Sequence, residues 1–107
     1  MYKLCFFVPL SHVEQVKQAV FAAGAGRLGD YDSCSWQTLG LGQFRPLAGS
    51  NPHLGAQDRL ERVEEYRVEM LCAEQHIRAA IGALRAAHPY EEPAFDVWRL
   101  DAELMRL

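Results

Sequence analysis

Cysteine is scarce in this 107-residue chain: Cys5, Cys34 and Cys72 are scattered, odd in number and form no C-x-x-C pair. That excludes a disulfide framework and a cysteine-held zinc, and it points to a reducing compartment, with the cytoplasm as the default. Long apolar runs are also missing. The opening MYKLCFFVPL is too short to span a membrane, and no small-residue cleavage site follows it. Basic residues are few, 11 Lys and Arg interleaved with 14 Asp and Glu for a net charge of −3. Nucleic acid is therefore not an expected partner, because phosphate binding needs massed positive charge. The histidines His12, His53, His76 and His88 share no H-x-x-x-H or comparable spacing, so no pair is preset for a metal. No G-x-S-x-G elbow occurs, and Ser33-Cys34-Ser35 offers hydroxyls and a thiol without an identifiable base.

What remains is the composition of an ordinary globular protein, half hydrophobic and 23% charged, of a length suited to a single domain over residues 1–107. Residues 2–8 form an aromatic-rich apolar run that suits a buried strand. Ser11 and Glu14 fit an S-x-x-E capping box, and Val13, Val16, Val20 and Ala23 recur at helical spacing until Gly24. Seven of the eight glycines fall in residues 24–55, so this segment is expected to be loop and short strand. Strands are expected over residues 31–39 and 42–44 around a Gly40-Leu41-Gly42 turn, followed by a loop over residues 45–57. Residues 64–70 alternate, with Tyr66, Val68 and Met70 on one face and Glu65, Arg67 and Glu69 on the other, as in a strand with one solvated side. A helix over residues 74–87 presents Ile77, Ala80, Ile81 and Leu84 and must end before His88, because Pro89 disfavours helical geometry in the residue before it. A strand over residues 95–98 and a short helical tail close the order. The expected fold is α+β: a ferredoxin-like two-layer sandwich, two helices on an antiparallel sheet, with an added glycine-rich hairpin or loop.

Two motifs call for a decision. Gly24-Ala25-Gly26-Arg27-Leu28-Gly29 matches G-x-G-x-x-G, but a helix precedes it and a strand follows, the reverse of the dinucleotide-binding context. A helix stop and a turn account for it better. The second, His88-Pro89-Tyr90-Glu91-Glu92-Pro93, is the densest chemistry in the chain. Read functionally, His88 is a base or metal ligand, Glu91 and Glu92 bind a cation, and Tyr90 closes over it. Read structurally, two prolines fix a corner, Tyr90 packs its ring, and the carboxylates take loop amides. The structural reading is the one that residue chemistry favours, and the metal reading stays open beside it.

The blocks YKLCFFVP, AGAGRLGDYDSCSW, GQFRPLAGSNPHLG and HPYEEPAFDV together resemble the YqfO-type insert domain of the Nif-three-like family. The helix–HPYE–strand block is also similar to the end of the CutA divalent-cation tolerance family. The resemblance covers nearly the whole chain. It implies a CutA- and PII-like fold that associates through its sheets and loops. It implies no enzyme activity, because the di-metal hydrolase-like domain of the full-length family has no counterpart here. From the CutA relatives it implies a divalent metal (copper or zinc), with His88 and Glu91 as the ligand positions.

The expected protein is thus a non-enzymatic, homo-oligomeric binding or regulatory domain, dimer or trimer, with a divalent-metal binder as the alternative. Its interface or ligand cleft is expected to draw on Gly26, Gly29, Tyr31, Asn51, Pro52, His53, Gly55, His88, Pro89, Tyr90, Glu91 and Glu92.

Overall fold

The alternation of apolar and polar side chains in the first strand sets the whole architecture. In the computed structural model, which describes residues 1–107, β1 (Tyr2–Pro9) turns Leu4, Phe6 and Val8 to one side. These residues lie opposite Met70, Val68 and Tyr66 of β3 (Glu61–Cys72), which therefore face the same way. Above them pack α1 (Val13–Ala22), through Val13, Val16 and Val20, and α2 (Ile77–Ala87), through Ile77, Ala80 and Leu84. With β2 (Trp36–Phe44) and β4 (Phe95–Arg99) the sheet runs β2-β3-β1-β4, antiparallel throughout. The result is an α+β sandwich of two layers. Thirteen buried residues form its core, and each large side chain within it, such as Phe6 or Leu84, contributes about 1.5–3 kcal/mol by leaving water. No helix is long and apolar enough to cross a membrane.

Helix α1 ends as the glycine placement predicts. Gly24 has φ +110°, its N–H donates to the Phe21 carbonyl, and the Ala25 N–H donates to that of Val20. This is a Schellman motif, which satisfies two carbonyls that the helix leaves without intrahelical partners. The next glycine is also spoken for. Gly26 donates its N–H to Leu71 O at 2.8 Å and accepts from Cys34 N at 2.8 Å, so the G-x-G-x-x-G segment stitches α1 to the sheet.

Four expectations are corrected. The capping box does not form: a 3-10 turn, Leu10–His12, leads from Pro9 into α1 without any side-chain cap. Ser11 pairs instead with the His12 ring at 2.7 Å, and Glu14 with Lys17 at 3.2 Å. The strand expected from residue 31 begins only at Trp36; Tyr31 makes an isolated bridge with Leu28, and Ser33 takes φ +54°. Gly40-Leu41-Gly42 is no turn. β2 runs straight through it, with Gly40 opposite Glu65 and Gly42 opposite Val63, because β3 supplies an unbroken ladder alongside. The turn of this hairpin is instead the long segment of residues 45–60, and β3 starts three residues earlier than the alternation suggested. At the two ends of the second helical region, the differences are smaller: Glu74–His76 is a 3-10 turn before α2, and the tail holds one such turn, Leu104–Arg106.

The sheet has one covered and one open face. Trp36, Thr38, Gly40, Gly42 and Phe44 of β2 share the open face with Glu65 and Arg67 of β3 and Phe7 of β1. The β2–β3 hairpin also outruns the helices, so Leu39 and Leu41 stay exposed although they point to the helical side.

Candidate functional site

The corner after α2 is built by one histidine. Its N–H closes the last helical turn on Leu84 O at 2.9 Å, and its backbone then turns extended (φ −70°, ψ 136°), as the following proline requires. The ring folds back onto the sheet, where only 6% of His88 is exposed. Its Nε2 lies 2.7 Å from the Phe7 carbonyl oxygen, which can only accept, so Nε2 carries the hydrogen. Its Nδ1 accepts the Tyr90 N–H at 3.1 Å. The ring is therefore a neutral bracket between β1 and the turn. Burial holds its pKa below the usual histidine value; the Phe7 carbonyl opposes this, and the nearby His12 and His53 reinforce it.

The two nitrogens that a metal would need are both engaged. Glu91 is committed as well, its Oε2 accepting the Asn51 N–H at 2.9 Å, which ties the 45–60 loop to the corner. No group of three or more His, Cys, Asp or Glu side chains is arranged to hold a metal ion.

Around this bracket lies a cleft of about 440 Å³, walled by Phe7, Phe44, Pro46, Leu54 and the Tyr90 side chain. The Tyr90 ring packs on His88 at 4.9 Å between centroids and approaches Phe44 and His53 at 6.2 Å each. His53 in turn meets His12 edge-on at 5.7 Å, so the loop rests on the start of α1. The Tyr90 hydroxyl is buried and has no hydrogen-bond partner. It faces Glu65 closely enough for the two to influence each other's ionisation, without the geometry of a hydrogen bond. Burial, then the Glu65 charge, raises the Tyr90 phenol above its ordinary value. Burial also raises the Glu65 carboxyl, an effect the Tyr90 hydroxyl partly offsets. Glu65 can lie there because Gly42 has no side chain: a Cβ at that position would collide with the Glu65 carboxylate.

The structure gathers Pro52, His53, Tyr90, Glu91 and Glu92 around the cleft, with Asn51 bonded to its rim and His88 behind the Tyr90 ring; Pro89 joins the two in sequence and is not among the lining residues. Gly55, at φ +95°, shapes the same loop next to Glu61. Gly26, Gly29 and Tyr31 lie at the other end of the sheet, since Gly26 binds Leu71, the partner of Lys3, whereas His88 binds Phe7. Sequence reading passed over Glu65, Gly42, Phe44 and Phe7. The available signal was a glycine inside a strand, which often marks a close approach.

No protein-family model matches the chain. It is 50% identical over 98 residues to a GTP cyclohydrolase 1 type 2 homolog of Mycobacterium leprae, aligning 92% of this chain with 26% of that one. A solved Bacillus cereus protein related to NIF3 superposes with a TM-score of 0.80 at 42% identity, over 94% of this chain and 25% of that one. The chain is the counterpart of one segment of Nif-three-like proteins. It spans about a quarter of the length of the curated relatives it matches. The PII-like protein CutA of a Nostoc species superposes with a TM-score of 0.69 over 97% of this chain and 85% of that one. At 17% identity, that likeness is one of fold. The chain thus shares the fold of CutA, with the HPYEEP corner bracketing its sheet.

Proposed function

We propose that this Nif-three-like segment is a non-enzymatic, homo-oligomeric binding domain whose cleft between the 45–60 loop and the His88–Glu92 corner takes a small ligand. The observation that carries the reading is the cleft itself: a pre-formed, largely apolar concavity with a buried, unpartnered hydroxyl and a desolvated carboxylate converging in it. A binding role without chemistry fits the commitment of His88 to backbone groups, which leaves it no lone pair to act as a base. The two free thiols in the core, Cys5 and Cys72, are held in the protonated form by burial, with their pKa values raised. The word cyclohydrolase in the relatives' name belongs to chains about four times as long, and no cyclohydrolase activity is proposed for this segment.

Self-association is supported by the surface that the fold leaves uncovered. β2 is an edge strand nine residues long, and it exposes Trp36, Leu39 and Leu41. Such an edge invites pairing unless something covers it. The prediction is a dimer or trimer in size-exclusion chromatography with light scattering; a monomer at micromolar concentration would remove the oligomeric part of the proposal. The cleft is tested separately by titrating a library of small aromatic fragments into the 15N-labelled protein. Binders are expected to shift the amides of Gly42, Leu54 and Tyr90 together, and a library that leaves all three unmoved would sink the ligand-binding part.

A further inference from the structure

We infer that the cleft selects a small planar cation that presents paired N–H donors from one carbon, as an amidinium or guanidinium does, with Glu65 as the receptor. This rests on the cleft being a ligand site and adds the class of ligand. Glu65, only partly exposed on the open sheet face, makes no ion pair in the folded chain, and the Tyr90 hydroxyl is the polar group that faces it. A carboxylate in that position lacks a cationic partner, and its two oxygens match the spacing of two N–H groups on one planar carbon. The Tyr90 hydroxyl is the second unsatisfied group. It can accept a third N–H from the ligand while donating to Glu65, so one occupant satisfies both.

The charge around the cleft points the same way. Glu65, Glu91 and Glu92 line it against one cation, Arg45, with His53 at the rim. Glu91 is spent on Asn51 and Glu92 is exposed to solvent, which leaves Glu65 as the part-buried carboxylate beside the aromatic wall. Phe7 and Phe44 offer flat apolar surface to the remainder of the ligand, so the cation should be attached to a ring. The bare Cα of Gly42 is part of the design, since any side chain there would displace the Glu65 carboxylate. The pKa of Glu65, raised mainly by burial, is what an empty cation receptor should show, and an occupant would lower it.

Three molecules of one shape and different charge test this: benzamidine, benzamide and benzoate, titrated at pH 7 into the full chain and followed by amide shifts. Benzamidine is expected to bind, shifting Gly42 and Tyr90, with benzoate weaker by about tenfold or more. Glu65→Gln should reduce benzamidine affinity by about tenfold or more while the protein remains folded, and Tyr90→Phe should reduce it less. Equal binding of benzamidine and benzoate, or unchanged binding to the Glu65→Gln variant, overturns the cation class and leaves the cleft as a binding site. Failure of all three molecules to shift the cleft amides overturns both.

Discussion

Replacing His88 with alanine is expected to lower the stability of the fold by about 2–4 kcal/mol, measured as a fall in the urea midpoint. The magnitude follows from what the ring does. It is nearly fully buried, and it satisfies a carbonyl of β1 and an amide of the turn at once. Removing it strands the Phe7 oxygen and the Tyr90 N–H where water does not readily reach, and it opens a void beneath the Tyr90 ring. An unchanged midpoint would show that the ring is dispensable to the corner. The same residue should make stability depend on pH. The folded ring holds its neutral form, with a pKa below the ordinary 6.5, whereas the unfolded ring protonates at the ordinary value. The unfolded state therefore binds more protons in the interval between the two pKa values. Stability is fully present above pH 6.5 and is lost as pH falls from there through the folded value. Urea midpoints of the wild type should decline over that interval by more than those of His88→Ala.

Gly26→Val is expected to cost a comparable amount, about 2–4 kcal/mol, for a different reason. Gly26 sits at φ +77°, and a Cβ there would stand 2.6 Å from the Phe21 ring and 3.0 Å from the Cys34 carbonyl oxygen. Neither neighbour can withdraw easily: Phe21 packs against the core, and Cys34 is bonded to Gly26 itself. Gly29→Ala supplies the comparison. Its φ is +56°, but a Cβ there meets nothing within 4 Å, so the cost should be the backbone strain alone, about 1–2 kcal/mol. Thermal melts of the two variants separate collision from strain. Equal losses would mean that the Phe21 contact is softer than the packing implies.

The parts of the fold legible in the sequence were those decided by neighbours along the chain. Leu4, Phe6 and Val8 alternate in place, Val68 and Met70 answer them, and Pro89 ends α2 whatever lies around it. The parts that were not legible depend on neighbours across space. Gly40 and Gly42 carry a turn signature, and only the long partner strand β3 makes them extended. Ser11 and Glu14 satisfy the capping pattern, but the 3-10 turn after Pro9 starts α1 at Val13 and leaves the box without a role. The candidate site divides in the same way. The corner at His88 was visible as a cluster, and its neutral, doubly bonded ring was not, because one of its partners lies 81 residues away. Glu65 looked like one solvated charge among many in an alternating strand. Its desolvation depends on Gly42 and Tyr90, which reach it from the adjacent strand and from the far corner.

The long hairpin also grades the molecule mechanically. Residues 65–69 of β3 are bonded on both sides, to β1 and to β2, whereas residues 61–64 are bonded to β2 alone. The chain is correspondingly drawn out, 49 × 23 × 23 Å. One end should open only with global unfolding, and the other by local excursions far cheaper than that. Amide hydrogens should therefore exchange slowly at Val68 and fast at Val63. The cleft straddles this seam: Glu65 belongs to the stiff end, and Phe44 and the loop above it belong to the soft one. An occupant would bolt the two together, so the protection it confers should appear along the hairpin arm, where opening is otherwise cheap.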